Sequence, residues 1–100
     1  MSTQSDLNEF SKAIRTQLPL LKEQYNVDTV EVFGSYVRGE QRTDSDLDVL
    51  ISFSELPGLL EFVEIENYLC EVLGVQVDLV MKDALKPHVG RKILKEAVPV

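Results

Sequence analysis

The chain is poor in the residues that build disulfide scaffolds, zinc sites and membrane spans. Its 100 residues include one cysteine and one histidine, and no apolar run approaches the roughly 18 residues that a membrane-spanning helix needs. Cys70 alone excludes an intrachain disulfide, and no His or Cys cluster with zinc spacing is present. Beside Leu69 and Leu73 in a predicted long helix, Cys70 reads as a small buried hydrophobe rather than a reactive thiol. The polar start Met1-Ser2-Thr3-Gln4-Ser5-Asp6 has no signal-peptide character, so a cytoplasmic protein without membrane association is expected. Repeats, low-complexity segments and linkers are also missing, which fits one domain over residues 1–100.

Basic residues are scarce as well. The chain holds 10 Lys+Arg against 17 Asp+Glu, a net charge of −7. The deficit is uneven, with 5 basic against 15 acidic residues in 1–81 and 5 against 2 in 82–100. An acidic body disfavours direct binding of nucleic acid, because phosphate neutralisation by Lys and Arg supplies most of that affinity. A polynucleotide would have to approach through a metal or through the basic tail.

What is present is a close succession of short elements. Leu7, Phe10, Ile14 and Leu18 recur at helical spacing after a possible cap at Ser5, predicting a helix that ends before Pro19. Pro19 suits the first turn of a second short helix through about Tyr25. Thr29 to Phe33 alternates and is β-rich, a first strand broken by Gly34-Ser35. Residues 36–40 read as a helical turn and Gln41 to Ser45 as a polar loop. A second strand, about Asp46 to Phe53, sets Leu47, Val49, Ile51 and Phe53 on a core face and Asp46, Asp48, Leu50 and Ser52 on the other. Pro57-Gly58 opens the longest helix, with Leu59, Phe62, Leu69 and Leu73 on one side and Gly74 as its stop. Val75 to Met81 alternates as a third strand in which Asp78 opposes the apolar set, and Pro87 introduces a basic helix through about Ala97, followed by a short extended end.

If the three strands share a sheet with their core faces aligned, Asp46, Asp48 and Asp78 become neighbours on the opposite face. At an effective dielectric of about 20, two carboxylates about 5 Å apart repel by roughly 3 kcal/mol, and a cation is the natural compensation. Hard oxygen ligands select Mg²⁺ or Mn²⁺, with Mg²⁺ sharing its coordination with waters and substrate phosphates. Carboxylates on adjacent strands suit two such ions. Upstream, Gly34 permits close backbone approach, Ser35 can offer N–H and hydroxyl to phosphate oxygens, and Arg38, three residues on, can pair with a phosphate. These features together describe a site for a metal-bound nucleoside triphosphate.

The run Phe33-Gly34-Ser35-Tyr36-Val37-Arg38-Gly39-Glu40, followed by Ser45-Asp46-Leu47-Asp48 and the later Asp78, resembles the DNA polymerase β-like nucleotidyltransferase superfamily, and more narrowly its minimal members, the MNT domains. The likeness extends to the ending Lys95-Glu96-Ala97-Val98-Pro99. It implies an α+β fold, a small mixed sheet packed against helices, and transfer of a nucleoside monophosphate, AMP from ATP, with Mg²⁺. By the same likeness Asp46 and Asp48 hold both metals, Asp78 helps hold the catalytic one and orients the attacking hydroxyl, and Gly34, Ser35 and Arg38 grip the phosphates. The extra domain with which larger relatives grasp an acceptor is not expected within these 100 residues, so the resemblance implies a separate acceptor protein. For minimal members that is a HEPN-type helical toxin, which the antitoxin adenylylates. The alternatives are an antitoxin acting by binding alone, and transfer to an RNA end or a small molecule.

The remaining polar and aromatic residues have plainer readings. Tyr36 is expected to pack rather than stack on a base, and His88 to be solvated. Lys86, Arg91, Lys92 and Lys95 form a solvated helix face, and Glu61, Glu64, Glu66 and Glu71 mark the exposed side of the long helix.

Overall fold

The computed structural model describes residues 3–100. The first apolar stripe continues in phase through Leu21 and Tyr25, and the chain forms one helix, α1 (Thr3–Tyr25), with Pro19 inside it. The two helices predicted from the sequence are therefore one. Proline forfeits a bond to the Arg15 carbonyl, but Pro19 and Arg15 are exposed, so water can take that carbonyl, while Ile14 and Leu21 on either side are fully buried. Ser5, expected as a cap, falls within the helix. Met1 and Ser2 lie outside the described residues.

Asn26, at φ 59°, turns the chain out of α1. Its carbonyl accepts the Ser54 N–H at 2.8 Å and the Ser54 hydroxyl at 3.1 Å, which ties the start of β1 (Val27–Phe33) to the end of β2 (Leu47–Phe53). These strands pair antiparallel, with an irregularity between Val27 and Thr29 that leaves Asp28 unpaired. Here the Thr29 N–H donates to the Ser52 hydroxyl, and the two side-chain hydroxyls bond to each other. The bulge explains why alternation alone placed the strand start two residues late.

A short helix α2 (Ser35–Arg38) follows β1. The crossover from β2 runs through α3 (Leu59–Leu73) to β3 (Val77–Met81), which pairs parallel with β2. Gly74 ends α3 at φ 70° and donates its N–H to the Cys70 carbonyl at 2.9 Å, as the sequence predicted. A 3-10 turn (Lys82–Ala84) leads to α4 (Pro87–Glu96), and the extended end is a fourth strand, β4 (Val98–Pro99), antiparallel to β1. The sheet order is β3-β2-β1-β4. The mixed sheet with its helices is the expected α+β fold.

The core lies on one face of the sheet, beneath α1 and α3. Leu7, Ile14 and Leu21 of α1 and Ile65 and Leu69 of α3 pack with Val30, Val32, Leu47, Val49, Ile51, Val77 and Leu79. Tyr36 is buried and meets Phe10 edge-on at 5.4 Å between ring centroids, a packing aromatic as anticipated. Cys70 is half-buried against the core and accepts the Val77 N–H at 3.2 Å. Leu59 departs from its expected place: it is 79% exposed, as Leu60 is, because the first turn of α3 lies beyond the packed layer, and the fully buried residues of the helix are Ile65 and Leu69. Glu66 also departs. It is half-buried and accepts the Leu79 N–H at 3.0 Å, which closes part of the free edge of β3. No helix among the described residues is long and apolar enough to cross a membrane.

Candidate active site

The other face of the sheet, on which Leu50 and Phe33 are also buried, presents the chemistry. Cross-strand register sets Phe33 opposite Asp48 and Asp48 opposite Asp78. Since side chains alternate, Asp48 and Asp78 project to the same side, away from the core on which Leu47, Val49, Val77 and Leu79 are buried. Asp46 sits one residue ahead of β2 and is exposed. It is delivered by a turn in which the Ser45 N–H donates to the Arg42 carbonyl at 3.0 Å and the Arg42 N–H donates to the Ser45 hydroxyl at 2.6 Å.

Asp48 is the least comfortable of the three acids. Burial, then the charges of Asp78 and Asp46, push its carboxyl from 3.8 up to about 6, with Glu96 adding to the effect and Arg38 opposing it. No hydrogen-bond donor reaches its carboxylate among the described residues. Gly34 is packed directly against it: a Cβ built there would lie 1.9 Å from Asp48 Oδ2. The backbone at Gly34, φ 85° and ψ −154°, is one that glycine alone adopts readily. Position 34 thus requires glycine twice over, for conformation and for the approach of Asp48.

Beyond Gly34 the chain turns at once into α2, with the Val37 and Arg38 N–H groups both donating to the Gly34 carbonyl at 3.1 Å. Ser35 is half-buried, and its hydroxyl has no protein partner among the described residues. The Arg38 guanidinium leans toward Gly34, where its Nη1 bonds Glu96 Oε1 at 2.6 Å while Nε bonds Glu40 Oε1 at 2.6 Å. Those two carboxylates raise the Arg38 pKa.

Glu96 escaped the sequence reading. Its Oε2 accepts the Gly34 N–H at 2.9 Å, so one carboxylate joins the Gly-Ser turn to Arg38. Burial alone would raise the Glu96 pKa, but Arg38, the Gly34 N–H and Lys92 together lower it, and the side chain stays charged. The available signal was its isolation, as the one acid of a basic helix. His88, Lys86, Arg91, Lys92 and Lys95 are exposed, as expected.

Among the described residues no three acidic, His or Cys side chains converge closely enough to cage an ion unaided. The donor set nonetheless fits a magnesium-type cation that takes one or two carboxylates and completes its shell with water and phosphate. Asp48 offers an oxygen ligand with no competing hydrogen bond among the described residues, and its carboxyl is raised first by burial and then by the Asp78 and Asp46 charges, which a cation would offset.

Comparison with known proteins supplies the family and the fold. The model of the family described as "Nucleotidyltransferase domain" matches residues 14–100. The protein adenylyltransferase MntA of Thermococcus cleftensis is 46% identical over 94 residues, covering 94% of this chain and 95% of its own length. A solved structure assigned as a minimal nucleotidyltransferase superposes with a TM-score of 0.76 at 34% identity, covering 100% of this chain and 97% of that one. A chain from the complex of tri-AMPylated Shewanella oneidensis HEPN toxin with MNT antitoxin superposes with a TM-score of 0.62 at 18% identity, covering 97% of this chain and 70% of that one, a likeness of fold.

Proposed function

This chain belongs to the nucleotidyltransferase domain family, and from that premise we propose that it is a Mg²⁺-dependent adenylyltransferase that transfers AMP from ATP to a hydroxyl of a partner protein. The observation that carries the reading is the wedge of Asp48 between Gly34 and Asp78: a phosphate-approach glycine and two acids share one small region of a sheet face. In this reading Asp46, Asp48 and Asp78 would between them hold Mg²⁺, each ion taking one or two of the carboxylates and completing its shell with water and phosphate, and the metal would supply charge neutralisation at the transferred phosphoryl group. Gly34 N–H, the Ser35 hydroxyl and Arg38 bind the terminal phosphates, and Asp78 orients the acceptor hydroxyl. The acceptor hydroxyl gives up its proton to solvent as its oxygen bonds the α-phosphorus, the bond from that phosphorus to the β-phosphate oxygen breaks, and pyrophosphate leaves.

The partner we propose is a HEPN-type helical toxin, with residues 1–100 acting as one cytoplasmic antitoxin domain. Support comes from the protein adenylyltransferase name of a relative 46% identical to this chain, and from the shared fold of a chain from the AMPylated HEPN complex. The test is incubation of the protein and its genomic neighbour with ATP labelled at the α-phosphate. Label should appear on the helical partner and vanish with Asp46→Asn; undiminished labelling by that variant overturns the assignment. A double variant, D46N with D48N, that still neutralises the toxin fully would favour an antitoxin acting by binding alone.

A further inference from the structure

Glu96 occupies a position that its own helix does not favour. It stands in the last turn of α4, where a carboxylate meets the negative end of the helix, although Lys92, one turn back, acts in its favour. What holds it is the site. Its two oxygens take the Gly34 N–H at 2.9 Å and the Arg38 guanidinium at 2.6 Å. One donor is backbone and the other cationic, and both lie where the proposed reaction needs phosphate oxygens. The side chain is 21% exposed, so it is lodged in the cradle rather than lying over its rim.

We propose that Glu96 is an internal competitor for the triphosphate, occupying the phosphate cradle until a nucleotide displaces it. The inference rests on the adenylyltransferase reading and deepens it. An incoming polyphosphate must take the Gly34 N–H and Arg38 away from an anion that already has them, and it must enter a region crowded by Asp48 and Asp78. A bare anion does this poorly. A nucleotide carrying its cation brings compensation for the aspartates, so Glu96 favours the metal-loaded substrate over free phosphates. Lys92, one turn back on α4 and close enough to influence Glu96, gives the released carboxylate a second partner.

The experiment measures equilibrium binding of the Mg²⁺ complex of α,β-methylene ATP, which cannot be transferred, to wild type, E96Q, E96A and E96D, beside the melting temperature of each without ligand. E96Q and E96A should bind about tenfold tighter, the factor expected if the cradle is closed about nine-tenths of the time. Both should melt slightly lower without ligand, having lost the carboxylate bridge. E96D, one methylene shorter and unable to span both donors, should fall between. Affinity and ligand-free stability thus move in opposite directions, whereas a merely structural glutamate would lower both. Unchanged or weaker binding by folded E96Q and E96A, with wild type binding normally, overturns the competitor alone. If wild type and all variants fail to bind the analogue, the nucleotide reading falls and the competitor with it.

Discussion

Replacing Asp48 with asparagine should stabilise the metal-free protein while abolishing transfer. Burial, then the Asp78 and Asp46 charges, push the folded Asp48 carboxyl from its ordinary 3.8 up to about 6. A raised carboxyl pKa means that the folded state binds the proton more tightly. Asp48 therefore imposes no penalty below about pH 4, and stability is lost as pH rises through the window from about 4 to 6. Two units at about 1.4 kcal/mol each give a ceiling of roughly 3 kcal/mol, and solvent screening at this half-buried position leaves about 1.5 kcal/mol. For a domain of this size that is a gain of about 6–12 °C in melting temperature at pH 8. Thermal melts of wild type and D48N in EDTA, at low ionic strength from pH 4 to pH 8, measure the gap directly. It should be widest at pH 8, shrink toward zero by pH 4, and narrow with added salt. A D48N protein no more stable than wild type at pH 8, or a gap indifferent to pH, refutes the electrostatic account of the site.

Further outcomes follow from the same geometry. Asp78→Asn should also raise metal-free stability, by less than D48N, and blunt the melting shift that millimolar Mg²⁺ gives the wild type, as seen by scanning fluorimetry. Gly34→Ala should destabilise by about 2–4 kcal/mol in urea unfolding, since strain at a glycine-only conformation adds to a collision with Asp48. Ser35→Ala should raise the KM for ATP while leaving the melting temperature within about 2 °C, because its hydroxyl has no hydrogen-bond partner among the described residues. Glu66→Ala should destabilise by about 1–3 kcal/mol in urea and increase light scattering at high concentration, as the Leu79 N–H loses its acceptor on an open strand edge.

The parts of this molecule legible from sequence are those governed by a local period or a single backbone requirement. Alternation in β2 and β3 was enough to set Asp48 and Asp78 on the face away from the core, and Gly34 and Gly74 marked real element ends at positive φ. Pro19 misled because a local cost was weighed without the burial of Leu21 beyond it. Leu59 misled in the opposite sense: its helical phase suited the core, but phase does not reveal where the packed layer ends. Glu96 was illegible for a third reason. Its partners are 58 and 62 residues away in sequence, and only the return of α4 toward the Gly-Ser turn brings them together.

The parallel pairing of β2 with β3 carries one more consequence. Strands joined through a helix can slip in register, and a slip of one residue reverses which side chains face inward. In β3 such a slip would carry Asp78 into the place now held by Val77 and Leu79, which are 1% and 5% exposed. An unpaired carboxylate there would cost several kcal/mol. The acid assigned to chemistry is thus also the residue that forbids the wrong sheet, and a chain that misaligns its strands loses its fold before it can present a false site.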